Sequence, residues 1–177
     1  MLKKIDEIYR AMENNCYHCA LALCLTLPDI CAKIAYPEIS KLGEAYELWF
    51  NKNVLQSYHF PNGSEIINGK TCYLLRCAFL HSGNFDLKKR HKDVKIQSFL
   101  LHIGKTNKGY NDLINVIYKT CTDAETGEKK IIPDKIYCDI DVELLCRNMC
   151  LAVKKFYNSI EDKSVFNDEY IVDSLKS

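Results

Sequence analysis

Leu2, Ile5, Ile8, Tyr9 and Met12 recur at three- and four-residue spacing, which marks one face of an amphipathic helix, and Asn14 and Asn15 stand where that helix is broken or capped. The next run, Cys16 to Leu27, is apolar almost all round, the pattern of a helix enclosed on every side. Pro28 is expected to interrupt it. Asp29 then caps a short continuation from Ile30 to Tyr36, and Pro37 closes the segment. A further helical pattern spans 38–55, with Leu42, Ala45, Tyr46, Trp49 and Phe50 as its apolar stripe. Residues 57–70 contain Pro61, Gly63 and Gly69 and predict a surface loop. Helix returns over 71–81 and ends at Ser82-Gly83, where glycine can take the left-handed conformation.

The grammar then changes. Residues 94–103, 113–120 and 129–140 are rich in Val, Ile, Tyr and Phe and are separated by turn signals, so they predict three short antiparallel strands. A strong helix follows over 141–160, with Val142, Leu145, Met149, Ala152, Val153 and Phe156 on its apolar face. The expected fold is mainly α: a helical bundle with a small antiparallel β-sheet inserted before the last long helix. One domain over 1–177 accounts for it, helical over 1–84, β-rich over about 94–140, with a C-terminal helix over about 141–160.

Composition narrows the function. The chain has 177 residues, 47% of them hydrophobic and 27% charged, which excludes a disordered polymer. Its net charge of +1 gives no overall field to steer a polyanion, so any nucleic-acid contact must be a local patch. The start has no apolar core of a secretory signal, and the ten cysteines fall mostly inside apolar runs. A cytoplasmic protein with free thiols is expected. The apolar stretch 19–32 contains Pro28 and Asp29 and is shorter than the ~20 residues a bilayer span needs, so no membrane association is expected.

Arg76 is the only ionic group between Cys72 and Leu80, in a helix that offers no polar face around it. Burying it unpaired would cost several kcal/mol, so it requires a carboxylate, a cleft or an interface. Asp29, isolated in its own apolar run, is one such carboxylate, although it is also placed to cap a helix. His81 stands near the helix end, where terminal carbonyls favour the imidazolium by ~0.3–1 kcal/mol. On an ideal helix Arg76 and His81 lie about 140° apart, so one straight helix does not put both on one narrow face. Two copies meeting across a two-fold axis would bring two of each into one groove.

The spacing Arg-x-x-x-x-His, in LLRCAFLHSG, resembles the motif of the HEPN superfamily, helical nucleotide-binding and ribonuclease domains whose signature is Arg, usually a polar residue, three variable residues, then His. The resemblance covers roughly residues 1–84 and the last long helix. It implies a bundle that forms a homodimer through the motif helices and, in many members, metal-independent RNA cleavage. Such members occur in toxin–antitoxin and phage-defence systems, so an antitoxin partner is implied as well. By the resemblance Arg76 stabilises the scissile phosphate and His81 transfers a proton. The RNA 2′-hydroxyl attacks its own phosphate, leaving 2′,3′-cyclic phosphate and 5′-hydroxyl ends. The residue after the arginine is Cys77, where active members usually carry a more polar side chain.

From Asn84 to Tyr110 there are seven Lys or Arg and two Asp, and the cluster Lys88, Lys89 and Arg90 is the candidate for holding RNA phosphates. Cys16-x-x-Cys19, with His18 between, and Cys146-x-x-x-Cys150 invite a zinc reading, but both fall in apolar helical patterns where thiols act as small hydrophobes. No metal and no cofactor is expected. The rival to an endoribonuclease is a non-catalytic helical module that binds a nucleotide or a protein, with Arg76 and His81 serving structure.

Overall fold

The computed structural model describes residues 1–55, 67–83, 87, 96–103, 114–122 and 129–166. Its helices are α1 (Leu2–Glu13), α2 (Tyr17–Ala35), α3 (Leu42–Asn53), α4 (Gly69–Cys77) and α5 (Val142–Ser159), and its strands are β1 (Ser98–His102), β2 (Ile114–Thr122) and β3 (Lys129–Asp141). The protein is mainly helical with a small sheet before its last long helix.

The apolar run at 16–27 becomes the centre of the molecule. α2 packs against α1, α3, α4 and α5 and buries Leu21, Cys24, Leu25, Leu27, Cys31 and Ala32. Pro28 does not end it, contrary to the sequence expectation. A proline inside a helix costs about 3 kcal/mol. Beyond it Cys31 and Ala32 are fully buried, Ile30 and Ile34 are partly buried against the core, and Asp29 meets Arg76, contacts that a helix ending at Pro28 would forgo. The uninterrupted 19-residue helix is long and apolar enough, by length and composition alone, to cross a bilayer. Half of it is buried against the four other helices it contacts.

α1 presents Ile5, Ile8 and Met12 to this core. It stops where Asn14 donates from its side chain to the Arg10 carbonyl and Asn15 turns left-handed with φ 58°. In α3, Ala45, Tyr46, Trp49 and Phe50 are buried, and the Trp49 ring meets Phe156 of α5 edge-on at 5.7 Å. α4 starts at Gly69, two residues earlier than the pattern suggested. Asn68 caps it by accepting from the Thr71 N–H at 3.0 Å, and the Gly69 N–H donates to the Asn51 side chain at 2.7 Å. Glycine is required there because a Cβ would sit 2.4 Å from the Glu47 carbonyl oxygen.

The strands are ordered β1-β3-β2. β2 and β3 form an antiparallel pair from Ile114↔Cys138 to Thr122↔Lys129, but β1 runs parallel to β3, with Ser98 opposite Tyr137 and His102 opposite Asp141. The sheet is therefore mixed, which corrects the all-antiparallel expectation. Strand patterning identifies strands but not partners: β1 and β2 lie on opposite sides of β3, and β1 aligns parallel with the central strand. Pro133 lies in that central strand beside the register shift at Ile117/Tyr118, where a proline's missing N–H is tolerated. β3 leads straight into α5, whose first turn Asp141 caps by accepting from the Leu144 N–H at 2.9 Å.

Gly69→Ala is expected to destabilise the fold by about 1–3 kcal/mol through the clash with backbone, and Leu25→Ala by about 3 kcal/mol. The exposed Lys52→Ala should change stability by less than about 0.5 kcal/mol. Urea titration followed by emission of the single tryptophan, Trp49, reads all three.

Candidate functional site

The motif sits where α4 stops being an α-helix. Residues Ala78–Ser82 form a π turn, in which each N–H reaches five residues back, and Gly83 with φ 58° ends it. The wider turn changes the geometry of the motif. Positions five apart come to one side, and Arg76 Nη1 lies 3.1 Å from His81 Nε2 within a single chain. The 140° separation of an ideal helix does not apply, so a second copy is not needed to bring the two side chains together. Guanidinium has no acceptor, so this contact uses the Nε2 lone pair and leaves the imidazole proton on Nδ1.

The other edge of Arg76 faces α2. Its Nε donates to Asp29 Oδ2 at 2.7 Å, and the two side chains are only 13% and 12% exposed. Asp29 is thus the carboxylate that the buried arginine demanded, not a helix cap, because α2 continues through it. Its Oδ1 is buried with no hydrogen-bond partner among the described residues. Burial pushes the Asp29 carboxyl above its ordinary value of 3.8, against the pull of Arg76, Lys33 and His81. Burial also works against the charge on Arg76, but the hydrogen bond and charge of Asp29 more than offset it and keep the guanidinium protonated.

Two neighbours were not singled out by sequence. The Tyr73 ring lies 5.7 Å below the Arg76 guanidinium carbon, a cation–π contact from three residues back on the same helix. Gly43 of α3 makes room for it, since a Cβ there would lie 2.9 Å from the ring. Phe79, in the π turn, faces His18 at the start of α2, with ring centroids 6.1 Å apart and planes within 18°. The i−3 spacing would have flagged Tyr73; only the fold reveals the second pair.

The result is a linear chain, Asp29–Arg76–His81, running from the core to an exposed imidazole. It carries one fixed cation, one neutralising carboxylate and one proton acceptor, which is enough for phosphate contact and proton transfer. Cys77, next along the chain, also engages the Arg76 guanidinium through its side chain. On the face of α4 toward α5, a cavity of about 20 Å³ lined by Thr71, Leu75, Asp141 and Leu144 has room for about one water, and neither Arg76 nor His81 lines it. Lys88, Lys89 and Arg90 lie outside the described residues. Of the cysteine pairs, Cys16 and Cys19 are exposed whereas Cys146 and Cys150 are buried, and among the described residues no three His, Cys, Asp or Glu side chains gather as metal ligands. No protein-family model matches the chain, and neither a curated protein nor a solved structure gives a significant match.

Asp29→Ala is expected to cost about 2–3 kcal/mol, because the half-enclosed guanidinium loses its partner. The charge itself is tested by pH. The folded chain holds the Asp29 proton more tightly than the unfolded chain does. The stability of wild type relative to Asp29→Asn should therefore fall as pH rises from about 3.8 through the higher folded value. Paired urea titrations across that window measure the slope, and a rising difference would mean that Arg76 dominates burial.

Proposed function

We propose that this protein is a HEPN-type endoribonuclease that cleaves RNA without metal, working as a homodimer whose motif helices line a shared groove. The observation that carries the reading is the joining of Arg76 and His81 by the π turn, with Asp29 fixing the arginine from behind. Asp29 holds the guanidinium through Nε and leaves the Nη edge for an anion. A phosphodiester entering there competes with His81 for Nη1. As Arg76 turns to the phosphate, the His81 Nε2 lone pair is released and becomes the base for the 2′-hydroxyl, and the same imidazole, once protonated, can deliver the proton to the leaving 5′-oxygen. Charge developing on the phosphate is met by a guanidinium already oriented, so little reorganisation is needed. The cluster Lys88, Lys89 and Arg90 supplies sequence-independent phosphate contacts in this scheme.

The second reading, a binding module without catalysis, draws on the same ion pair. A salt bridge from α4 to α2 is what a purely structural arginine would make. It accounts for Asp29 and Arg76, but gives no reason for the π turn that brings the exposed His81 against the guanidinium.

Wild type, Arg76→Ala and His81→Ala are to be incubated with RNA in EDTA beside a 2′-deoxy substrate. The expected outcome is cleavage by wild type alone, with a fall of about 10²–10⁴-fold for His81→Ala, no cut in the deoxy strand, and cyclic phosphate ends. Intact RNA with folded wild type would decide for the module. Sedimentation at micromolar concentration should give a particle of twice the chain mass; only 20.5 kDa particles would remove the shared groove.

A further inference from the structure

Nine of the cysteine side chains are described, and packing explains most of them. Cys24, Cys31, Cys72, Cys138, Cys146 and Cys150 are buried and serve as small hydrophobes. Burial pushes the Cys72, Cys138 and Cys150 thiols up to about 12, which keeps them protonated and inert. Cys16 and Cys19 differ: both are exposed and add nothing to the core.

Their position in α2 is specific. Cys16 is the residue before the first helical position, with φ −86° and ψ 56°, and its carbonyl opens the helix by accepting from the Ala20 N–H at 3.0 Å. Cys19 is the third helical residue. Stability favours Ser, Thr, Asp or Asn at the first of these places and Glu or Gln at the second, because the two side chains can then satisfy free N–H groups reciprocally. Here both are thiols, and Cys16 makes no capping bond. In that relation each side chain reaches the backbone N–H of the other residue, so the two side chains lie on the same edge of the first turn. Neighbours at this spacing have Cβ atoms roughly 5–6 Å apart in a regular helix, against about 3.5–4.5 Å in a disulfide. Closing that gap takes a turn of the non-helical backbone at Cys16, and the Cys16 thiol must give up the Asn14 carbonyl to which it donates at 3.6 Å.

His18 lies between the two thiols, and its ring faces Phe79 in the π turn that carries His81. We propose that Cys16 and Cys19 form a redox dithiol, closed to a disulfide by exchange with a small-molecule disulfide, and that closure resets the turn bearing His81 through His18 and Phe79. One thiolate attacks the small disulfide, forming a mixed disulfide and expelling one thiolate. The second cysteine then attacks the protein-bound sulfur, forming the Cys16–Cys19 bond and expelling the other. The protein loses two protons and two electrons, and the small disulfide becomes two thiols. Tightening the first turn rotates His18, which shifts Phe79 and the His81 side chain two residues on. The control of cleavage rests on the ribonuclease reading; the dithiol and its mechanical coupling do not.

Wild type is to be equilibrated in oxidised and reduced glutathione at graded ratios, quenched in acid, alkylated and mapped by peptide mass spectrometry, with His81 ring signals followed by NMR and assigned with His81→Gln. The expected result is an internal Cys16–Cys19 bond appearing as one two-electron step, a stable mixed disulfide in Cys19→Ser, and a shift of the His81 signals on oxidation that is lost in Phe79→Ala. The proposal is overturned if glutathione accumulates on both cysteines without an internal bond, if the bond closes and His81 does not respond, or if His81 responds equally in Phe79→Ala. None of these readouts needs RNA, so they separate a failed switch from a failed ribonuclease.

Discussion

A single carboxylate in the middle of an otherwise oily central helix sets the terms for the rest of the molecule. α2 is enclosed by four helices, and Asp29 is carried inside with it. Desolvating a charge costs several kcal/mol, and only a well-placed countercharge offsets that. Arg76 is the countercharge, reaching from α4 at 2.7 Å. That the Asp29 carboxyl is still pushed up shows that burial is not fully offset even so. Such a pair adds little stability over an apolar substitute. Its effect is geometric, fixing the rotation of α4 about its axis and the direction in which the guanidinium points.

With Arg76 fixed, the rest of the motif follows from the backbone. α4 meets the apolar core through Cys72, Leu74 and Leu75 and turns its polar side to Asp29. Tyr73, admitted by the missing side chain at Gly43, supports the guanidinium from below. The two faces of α4 thus do different things. One is sealed over a cavity no larger than a water, and the other ends in an exposed imidazole.

Much of the fold was legible in the sequence, because apolar spacing reports burial directly. The three strands and most helices fall close to their expected positions, though α2 joins two expected segments and α3 starts at Leu42 rather than 38, and Asp141 and Asn68 cap helices through side chains of the type that capping demands. The lone charge at Arg76 also announced its need for a partner. What could not be read was anything decided by competition or by distance along the chain. Pro28 carries a strong local signal to stop, and only the tertiary contacts beyond it, among them the Asp29–Arg76 pair, go with a helix that continues. Strand patterns name no neighbours, so the parallel alignment of β1 was hidden. The Arg76–His81 contact was hidden for a different reason: ideal helix geometry places the two apart, and a π turn leaves no composition signature.

That turn also divides the motif between two supports. Over Ala78–Ser82 the N–H groups pair one residue further back than in an α turn. In the π turn His81 is held against Arg76, whereas in a regular α-helix the two positions would stand about 140° apart. Gly83, left-handed and with open space around it, ends the turn. Arg76 is held from the core by Asp29. One residue of the pair is therefore anchored to the body of the protein and the other is carried by the π turn. Under the proposed mechanism, a phosphate that draws on Nη1, or a pull on Phe79 from the start of α2, would shift only the second. A buried ion pair of little value to stability is well suited to that task, because it keeps one half of the motif still while the other half moves.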